Sequence, residues 1–310
     1  MISFIIIGLN EGLKLNKCFE SIINTIDNSQ LYHDAEIIYV DSKSTDGSYE
    51  NALLNNKVKS YRLEGKCNPA IARNFGAKKA RGDIFCFFDG DMELLSGKLE
   101  KLFTEDGELI NPLMTANRID VFYDTEGNYI GTNEEEKVNL VDNLTITTGG
   151  MILIKKELWR SVNGMDESLR CFEDNDLAYR VFKKHKLKVL KSKEILVKHH
   201  TVRYTDNKRY QQLIFSNFFL YRGKLYRKHL FFPPIVFIMM KSDLSLLILS
   251  VSIIATILSK NPFFLLFYFV AVLIKLLFIS KHSSNISSFK RYYLDIVKDC
   301  KIIIGFFFKK

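Results

Sequence analysis

The sequence predicts an α/β fold in which a doubly wound, mainly parallel sheet carries helices on both faces and is followed by a C-terminal membrane helical hairpin. The first observation is a set of apolar runs, ISFIII, EIIYV and IFCFF, each of which ends in a polar loop. Runs that are apolar on both faces are typical of central parallel strands. The second observation is a shift to strongly apolar composition near residue 230. With 310 residues, the chain can hold one sizeable α/β domain, expected over 1–228, and an appendage over 229–310.

Residues 68–82 predict a short helix that packs closely on the sheet. Asn68 is a favourable N-cap, Pro69 suits the first helical position, and Gly82 supplies the stop signal. Small residues recur every four positions, at Ala72, Gly76 and Ala80. A stripe of this kind lets a helix approach a sheet closely.

The strand after this helix ends on two carboxylates, Asp89 and Asp91. Side chains at i and i+2 of an extended chain point the same way, so the two acids are expected to face one spot. Two anions so placed repel each other, and a divalent cation is the usual remedy. Open α/β sheets also bind ligands at the carboxyl ends of their strands. The segment therefore predicts a metal-dependent nucleotide site, the alternative being a strand that simply ends in a polar turn.

Two other predicted strands carry polar residues at their carboxyl ends. Asn10 and Glu11 follow the first strand, and Asp41 ends the run EIIYV. The carboxyl ends of parallel strands meet at one edge of the sheet, so Asp41 is expected on the same edge as Asp89.

Taken in order, the block A-R-N-x-G, the block A-x-G-D, the apolar strand and D-G-D closely resemble nucleotide-sugar-dependent glycosyltransferases of family 2, which have a GT-A fold. The resemblance covers roughly the first two-thirds of the chain. It departs from the family at Gly8-Leu9, where a Pro or Thr commonly precedes Asn-Glu. The resemblance implies that Asp41 contacts the nucleoside base and that Arg73 contacts the nucleotide. It also implies nucleotide-sugar binding by Asn10, Glu11 and Asp89, and metal binding by Asp89 and Asp91.

A second matching block, TTGGMILIKKELWRSVNGMDESLRCFEDNDLAYRV, corresponds to the family's acceptor side. By resemblance, Asp174 of its Glu-Asp pair is the general base. The chemistry needs such a residue, because an acceptor hydroxyl must lose its proton as it attacks the anomeric carbon of the sugar. The alternative is that Asp174 and Asp176 only cap and charge the start of the following helix.

The segment ILVKHHTVRYT follows this block and supplies His199 or His200 as a further metal ligand, again by resemblance. Neighbouring residues in a strand point to opposite faces, so at most one of the two is expected to ligate. Imidazole suits Mn²⁺ better than Mg²⁺, and either cation is a candidate cofactor.

The C-terminal region predicts two hydrophobic helices, at about 244–258 and 263–279. Each is somewhat short of the roughly 20 apolar residues that span a bilayer. A membrane hairpin is favoured, the alternatives being an interfacial pair of helices or a hydrophobic oligomer interface. Basic residues crowd both flanks of this region, which by the positive-inside rule predicts a protein of the cell membrane with its catalytic domain in the cytoplasm.

The expected function is inverting transfer of a sugar from a nucleoside diphosphate sugar to a hydroxyl of a membrane-associated, lipid-linked or saccharide acceptor, in polysaccharide or glycoconjugate synthesis. One alternative is a catalytically inactive, membrane-tethered module that binds nucleotide sugars, and another is a sugar nucleotidyltransferase. The net charge of +9 could indicate nucleic acid, but no nucleic-acid-binding motif accompanies it, so nucleic acid is not expected as a partner.

Overall fold

The computed structural model describes residues 1–29, 32, 34–124, 126–133, 142–148, 150–202, 207–280 and 288–307. Of residues 207, 208, 275–280 and 288–292, only the backbone is described. The chain divides into two compact units, Met1–Arg203 and Tyr204–Lys310.

The first unit contains the strands β1 Ile2–Gly8, β2 Glu36–Asp41, β3 Val58–Arg62, β4 Ile84–Asp89, β5 Met92–Leu94, β6 Leu113–Tyr123, β7 Tyr129–Thr132, β8 Asn143–Thr145, β9 Ile152–Lys155 and β10 Val189–Val202. Its helices are α1 Leu13–Asp27, α2 Ser48–Leu53, α3 Pro69–Lys79, α4 Lys156–Ser161 and α5 Glu173–His185, with a short 3₁₀ helix at Leu99–Leu102. The strands form one sheet in the order β3-β2-β1-β4-β9-β6-β10-β5, with β7 paired to β6 and β8 paired to β10.

The sheet is mixed, so the expectation of a mainly parallel sheet is wrong for its second half. Strands β1 to β4 are parallel, as predicted, and β6 and β10 form another parallel pair. Strands β5, β7, β8 and β9 pair antiparallel with their neighbours. Short connections explain part of this: β7 follows β6 after a tight turn, and such turns join antiparallel strands.

Helices cover both faces of the sheet, as predicted. Alternate residues of β1 point to opposite sides: Phe4 and Ile6 join the apolar cluster that includes α1, whereas Ile5 and Ile7 join the cluster that includes α3, α4 and α5. The central strands are therefore buried on both sides, and the site can form only at their ends.

Helix α3 forms for the reasons that the sequence indicates. The Asn68 side chain accepts a hydrogen bond from the Ile71 amide at 2.8 Å, and Pro69 occupies the first turn. A Cβ atom on Gly76 would lie 2.3 Å from Ile5 Cγ2, so only glycine allows the helix to lie this close to β1. The small-residue prediction is confirmed, and it fixes the position of Arg73 on the same helix.

The second unit contains the helices α6 Asn207–Phe215, α7 Phe218–Lys228, α8 Pro233–Ser242, α9 Leu244–Ser259, α10 Phe264–Ser280 and α11 Ser288–Phe307. Helices α7 and α11 pack with their backbones very close together at two glycines. A Cβ on Gly223 would lie 2.0 Å from the Ile302 carbonyl oxygen, and a Cβ on Gly305 would lie 2.0 Å from the Leu220 carbonyl oxygen. Helices α6 and α7 belong to the second unit, whereas the sequence predicts a first domain that extends to residue 228.

Helices α9 and α10 are the two apolar helices predicted at 244–258 and 263–279, and they pack on each other through Leu249, Tyr268 and Val272. Across the described parts of the chain, no helix is by itself both long enough and apolar enough to cross a membrane. The pair α8 and α9 together reaches that length and composition, with a bend of 98° between them.

A buried acid, Asp243, lies just before α9 and was not singled out by the sequence. Its carboxylate contacts Arg222 at 2.7 Å and Lys298 at 3.2 Å, and it accepts a 2.5 Å hydrogen bond from the Tyr226 hydroxyl. These contacts join α7, α9 and α11 and offset the cost of burying the carboxylate.

Candidate active site

The candidate site lies at the carboxyl ends of β1, β2 and β4, which are neighbours in the sheet. In register, Gly8 pairs with Asp41 and Ile7 pairs with Asp89, so the three strand ends lie side by side. A Cβ on Gly90 would lie 3.0 Å from Glu11 Cγ and 3.3 Å from the Ile7 carbonyl oxygen. A side chain at position 90 would therefore be tightly packed against the end of β1.

Arg73 joins the two acidic motifs that the sequence singled out. Its guanidinium contacts Asp89 Oδ1 at 2.5 Å and Glu173 Oε1 at 2.6 Å, and its side chain is only 4% exposed. Asp89 belongs to the D-G-D motif, and Glu173 begins α5 immediately before Asp174. One buried cation therefore holds the end of β4 and the start of α5 together.

Asp174 lies in the first turn of α5 and is half-buried. Its Oδ1 accepts a 2.8 Å hydrogen bond from the Asn175 amide. Burial raises the pKa of Asp174, and burial also raises the pKa of Glu173 to about 7 against the opposing charge of Arg73. A carboxyl group with a raised pKa is better suited to accept a proton from an alcohol than an ordinary aspartate.

Asp91 has a different partner from Asp89. Its Oδ2 lies 3.4 Å from His199 Nε2, and its Oδ1 is buried with no hydrogen-bond partner among the described residues. The other ring nitrogen of His199, Nδ1, lies 2.8 Å from Asp120 Oδ1. Although burial alone would lower the pKa of His199, the Asp120 and Asp91 carboxylates raise it to about 9.

The structure separates the two candidate histidines. His200 points elsewhere: its Nε2 lies 2.8 Å from Glu93 Oε1, and its Nδ1 lies 3.0 Å from the Tyr123 hydroxyl. Of the two, His199 is the one beside Asp91.

The residues around Asp91 fit a divalent cation only in part. Nowhere in the described chain do three or more His, Cys, Asp or Glu side chains form a ready metal cluster. Asp91 and His199 nevertheless present an oxygen and a nitrogen to one place, and the buried Asp91 Oδ1 lacks the partner that such an atom ordinarily has. An imidazole nitrogen and a carboxylate oxygen form a donor pair that would suit Mn²⁺.

The predicted nucleotide residues fall into two kinds of environment. Glu11 lies close to the D-G-D turn, and burial together with the Asp91 charge raises its pKa to about 7. Asn10 is exposed, but its Oδ1 accepts a 2.8 Å hydrogen bond from the Thr45 amide, so it also braces the loop after β2.

Asp41 is fully buried, with an exposed fraction of 0%. Its Oδ2 accepts hydrogen bonds at 3.0 Å from the Lys43 and Ser44 amides and from Arg62 Nε, and its Oδ1 accepts one from the Tyr39 hydroxyl at 3.1 Å. In this arrangement the carboxylate holds the loop after β2.

An open pocket of about 580 Å³ lies next to that loop. Its lining consists of Lys43, Ser44, Thr45, Tyr49, Arg62, Leu63 and Glu64. The Arg62 guanidinium stacks over the Tyr49 ring at 4.2 Å from its centroid. A pocket of this volume, with one aromatic ring and several polar groups, has the size of a small-molecule site.

Two residues of the site were missed by the sequence analysis. Asp120 contacts His199 across the parallel β6–β10 pair, and Arg62 contacts Asp41 across the β2–β3 pair. Both contacts depend on strand register between distant segments. A local motif search carries no signal for them.

Several known proteins resemble this chain in sequence. The model of glycosyl transferase family 2 matches residues 3–162. An uncharacterized glycosyltransferase of Haemophilus influenzae is 34% identical over 160 residues, which are 50% of this chain and 60% of that protein. The amylovoran biosynthesis glycosyltransferase AmsB of Erwinia amylovora is 38% identical over 90 residues, which are 26% of this chain and 30% of that protein. The chain thus spans less than two-thirds of the length of these relatives.

Among solved structures, the crystal structure of GalNAc-T7 with UDP, GalNAc and Mn²⁺ superposes with a TM-score of 0.55 at 18% identity, over 73% of this chain and 47% of that one. This likeness shows that the first unit has a fold of GT-A type. Because the family model covers just over half of the sequence, the chain belongs to glycosyl transferase family 2.

Proposed function

We propose that this protein transfers one sugar, with inversion, from a nucleoside diphosphate sugar to a hydroxyl group of a saccharide or lipid-linked acceptor. The observation that carries the proposal is the Arg73 bridge. Arg73 contacts both the D-G-D motif and Glu173, which precedes Asp174. By family resemblance, the first motif lies on the donor side and the Glu173–Asp174 pair lies on the acceptor side. A donor and an acceptor bound at these two motifs would lie next to each other, as direct transfer requires.

Asp174 takes the proton of the acceptor hydroxyl as that oxygen attacks the anomeric carbon, and the bond to the diphosphate breaks. Arg73 holds the start of α5 so that this carboxylate keeps its place. The pocket beside the loop after β2 receives the nucleoside, with Asn10 and the buried Asp41 holding that loop in shape.

Asp91 and His199, with Asp89 close by, would hold a divalent cation, Mn²⁺ or Mg²⁺. When bound, the cation offsets negative charge on the departing diphosphate. The support for this assignment is the pair of facing donor atoms and the unpartnered Asp91 Oδ1. GalNAc-T7, whose fold is similar, was crystallised with UDP and Mn²⁺.

The test is Asp174→Asn, assayed with UDP- and GDP-sugars and Mn²⁺ for release of the nucleoside diphosphate. Loss of a general base is expected to slow transfer by about 10²–10⁴-fold while nucleotide binding, followed by calorimetry, persists. The matched control is Glu157→Gln, which changes an exposed first-turn acid of α4 and should leave turnover unchanged.

Other outcomes of the same assay would overturn the proposal. Undiminished turnover of the Asp174→Asn variant would remove Asp174 from the base role. Release of pyrophosphate instead of a nucleoside diphosphate would identify a nucleotidyltransferase. Nucleotide binding by the unmodified protein without any product would identify a binding module.

The second unit associates with the cell membrane and keeps the catalytic unit on the cytoplasmic side. Large apolar side chains of α8, α9 and α10 are exposed, among them Phe237, Val251, Ile254, Leu258 and Phe267. Exposed apolar surface of this extent is typical of a membrane or protein contact. The basic flanks and the confinement of a lipid-linked acceptor to the bilayer plane favour the membrane.

The test of this topology uses the turn between α9 and α10. In an Asn261→Cys variant, the introduced thiol should react with an impermeant reagent from outside intact cells, whereas the native Cys300 should not. Labelling of both positions only after lysis, together with release of the protein by carbonate, would rule out a spanning hairpin. Helices of 16 and 17 residues are about 24–26 Å long, so a spanning hairpin would require local thinning of the bilayer.

A further inference from the structure

The His199 ring is held between two carboxylates, one from each side. His199 on β10 is the register partner of Asp120 on the parallel strand β6. Its Nδ1 lies 2.8 Å from Asp120 Oδ1, and its Nε2 lies 3.4 Å from Asp91 Oδ2. The histidine is only 7% exposed, so the ring has little freedom to turn away from these partners.

Asp120 is itself held in place. Its Oδ1 contacts Arg118 Nε at 2.8 Å, and its backbone amide donates a 2.7 Å hydrogen bond to Asn133 Oδ1. An ionised Asp120 is a strong acceptor for a proton on His199 Nδ1.

A proton on Nδ1 leaves the lone pair of a neutral imidazole on Nε2, the atom that faces Asp91. A carboxylate behind a histidine fixes both the tautomer and the ring orientation of a metal ligand, and it raises the basicity of the ligating nitrogen. The same geometry is therefore a prepared nitrogen donor beside the unpartnered oxygen of Asp91.

We propose that Asp120 is a positioning residue that holds His199 Nε2 toward the cation at Asp91 and so sets the affinity of the protein for that cation. This inference rests on the proposed function, in which Asp91 and His199 bind a divalent cation. Asp120 acts only through His199.

The neighbouring residue, His200, provides a matched control for His199. His200 also pairs with an acid, because its Nε2 lies 2.8 Å from Glu93 Oε1. Its ring nitrogens are occupied by Glu93 and Tyr123, and its chemistry is otherwise that of the His199 pair. Replacement of Glu93 thus removes a His–carboxylate contact of the same kind without touching the nitrogen that faces Asp91.

The experiment titrates Mn²⁺ into the 310-residue protein in detergent, with and without UDP, and measures free Mn²⁺ by electron paramagnetic resonance. Asp120→Ala is expected to weaken Mn²⁺ binding about 10–100-fold, the usual effect of losing the partner behind a ligating histidine. Glu93→Ala should stay within twofold of the unmodified protein. Asp120→Asn, which keeps the shape and one acceptor oxygen, should weaken binding in the same direction by a smaller factor.

A background without the histidine separates positioning from a general effect on the fold. In His199→Ala, the further change Asp120→Ala should leave the remaining Mn²⁺ affinity unchanged. A further loss in that background, or an Asp120→Ala variant that binds like Glu93→Ala, would overturn the inference while the proposed cation site stood. An unmodified protein that binds no Mn²⁺, even with UDP, would overturn both.

Discussion

Replacing Arg73 by methionine should destabilise the first unit more than any exposed charge change. The guanidinium is buried between Asp89 and Glu173, at 2.5 and 2.6 Å. Methionine keeps most of the side-chain length but leaves two carboxylates without their shared cation. Removing one partner of a buried ion pair costs about 3–5 kcal/mol, chiefly because the remaining charge is uncompensated.

The deficit should depend on pH, and the sign follows from Glu173. Burial raises the pKa of Glu173 to about 7 even with Arg73 in place, and loss of the guanidinium should raise it further. A carboxyl group whose pKa is higher in the folded than in the unfolded chain loses stability as the pH rises through that interval. The Arg73→Met protein should therefore be less impaired at pH 6 than at pH 8. Adding Glu173→Gln removes one uncompensated charge and should restore part of the stability at pH 8.

The fluorescence of Trp159 allows the stability of the first unit to be measured in the protein. Trp159 is the sole tryptophan of the sequence, and it lies in the same apolar cluster as α3, with its ring 4.7 Å from that of Phe87. Its fluorescence during urea titration in detergent thus reports unfolding of the first unit. Lys57→Met is the control, since the Lys57–Asp27 pair is about half exposed and should contribute less than about 1 kcal/mol. A loss below about 1 kcal/mol for Arg73→Met, or no recovery with Glu173→Gln, would refute the reasoning.

Two further predictions use the same fluorescence assay. Gly76→Ala places a methyl group 2.3 Å from Ile5 Cγ2 and should lower the free energy of unfolding by about 1–3 kcal/mol, whereas Gly65→Ala, which points into open space, should change it little. Burial would raise the pKa of Glu36, but hydrogen bonds from the Arg81 amide and from other donors lower it to about 2. The Glu36 carboxylate therefore stabilises the fold above pH 4.5 and loses that effect as the pH falls toward 2. Glu36→Gln should remove about 3 kcal/mol at pH 7 and flatten the stability profile between those two pH values; equal slopes for both proteins would contradict the assignment.

Features that depend on neighbouring residues could be predicted from the sequence. The cap and close packing of α3 follow from Asn68 and Gly76, and the parallel strands at the first edge follow from their apolar runs. The sequence predicts a helix that begins just after the pair Glu173–Asp174, whereas in the structure α5 begins at Glu173 and includes both acids in its first turn.

Features that depend on contacts between distant strands could not be predicted. The choice between His199 and His200 is made by the register of β10 against β6, which no local pattern encodes. The antiparallel pairing in the second half of the sheet could not be predicted for the same reason. The apolar runs of these strands are short and do not indicate which strand each one pairs with. The position of Asp41 at a strand end was predicted correctly, but its hydrogen-bond donors were not. They come from the next loop and from Arg62 on β3.

The structure also changes the reason for expecting a cation at the D-G-D motif. In the sequence alone, two carboxylates one residue apart are expected to repel each other, which favours a cation between them. In the fold each acid has its own partner, Arg73 for Asp89 and His199 for Asp91. Arginine stays protonated at any working pH, so a metal ion cannot remove the positive charge beside Asp89. A histidine, in contrast, readily loses its proton when a metal ion binds. The two acids are therefore not equivalent: Asp89 Oδ1 contacts the Arg73 guanidinium that also contacts Glu173, whereas Asp91 Oδ1 has no hydrogen-bond partner among the described residues.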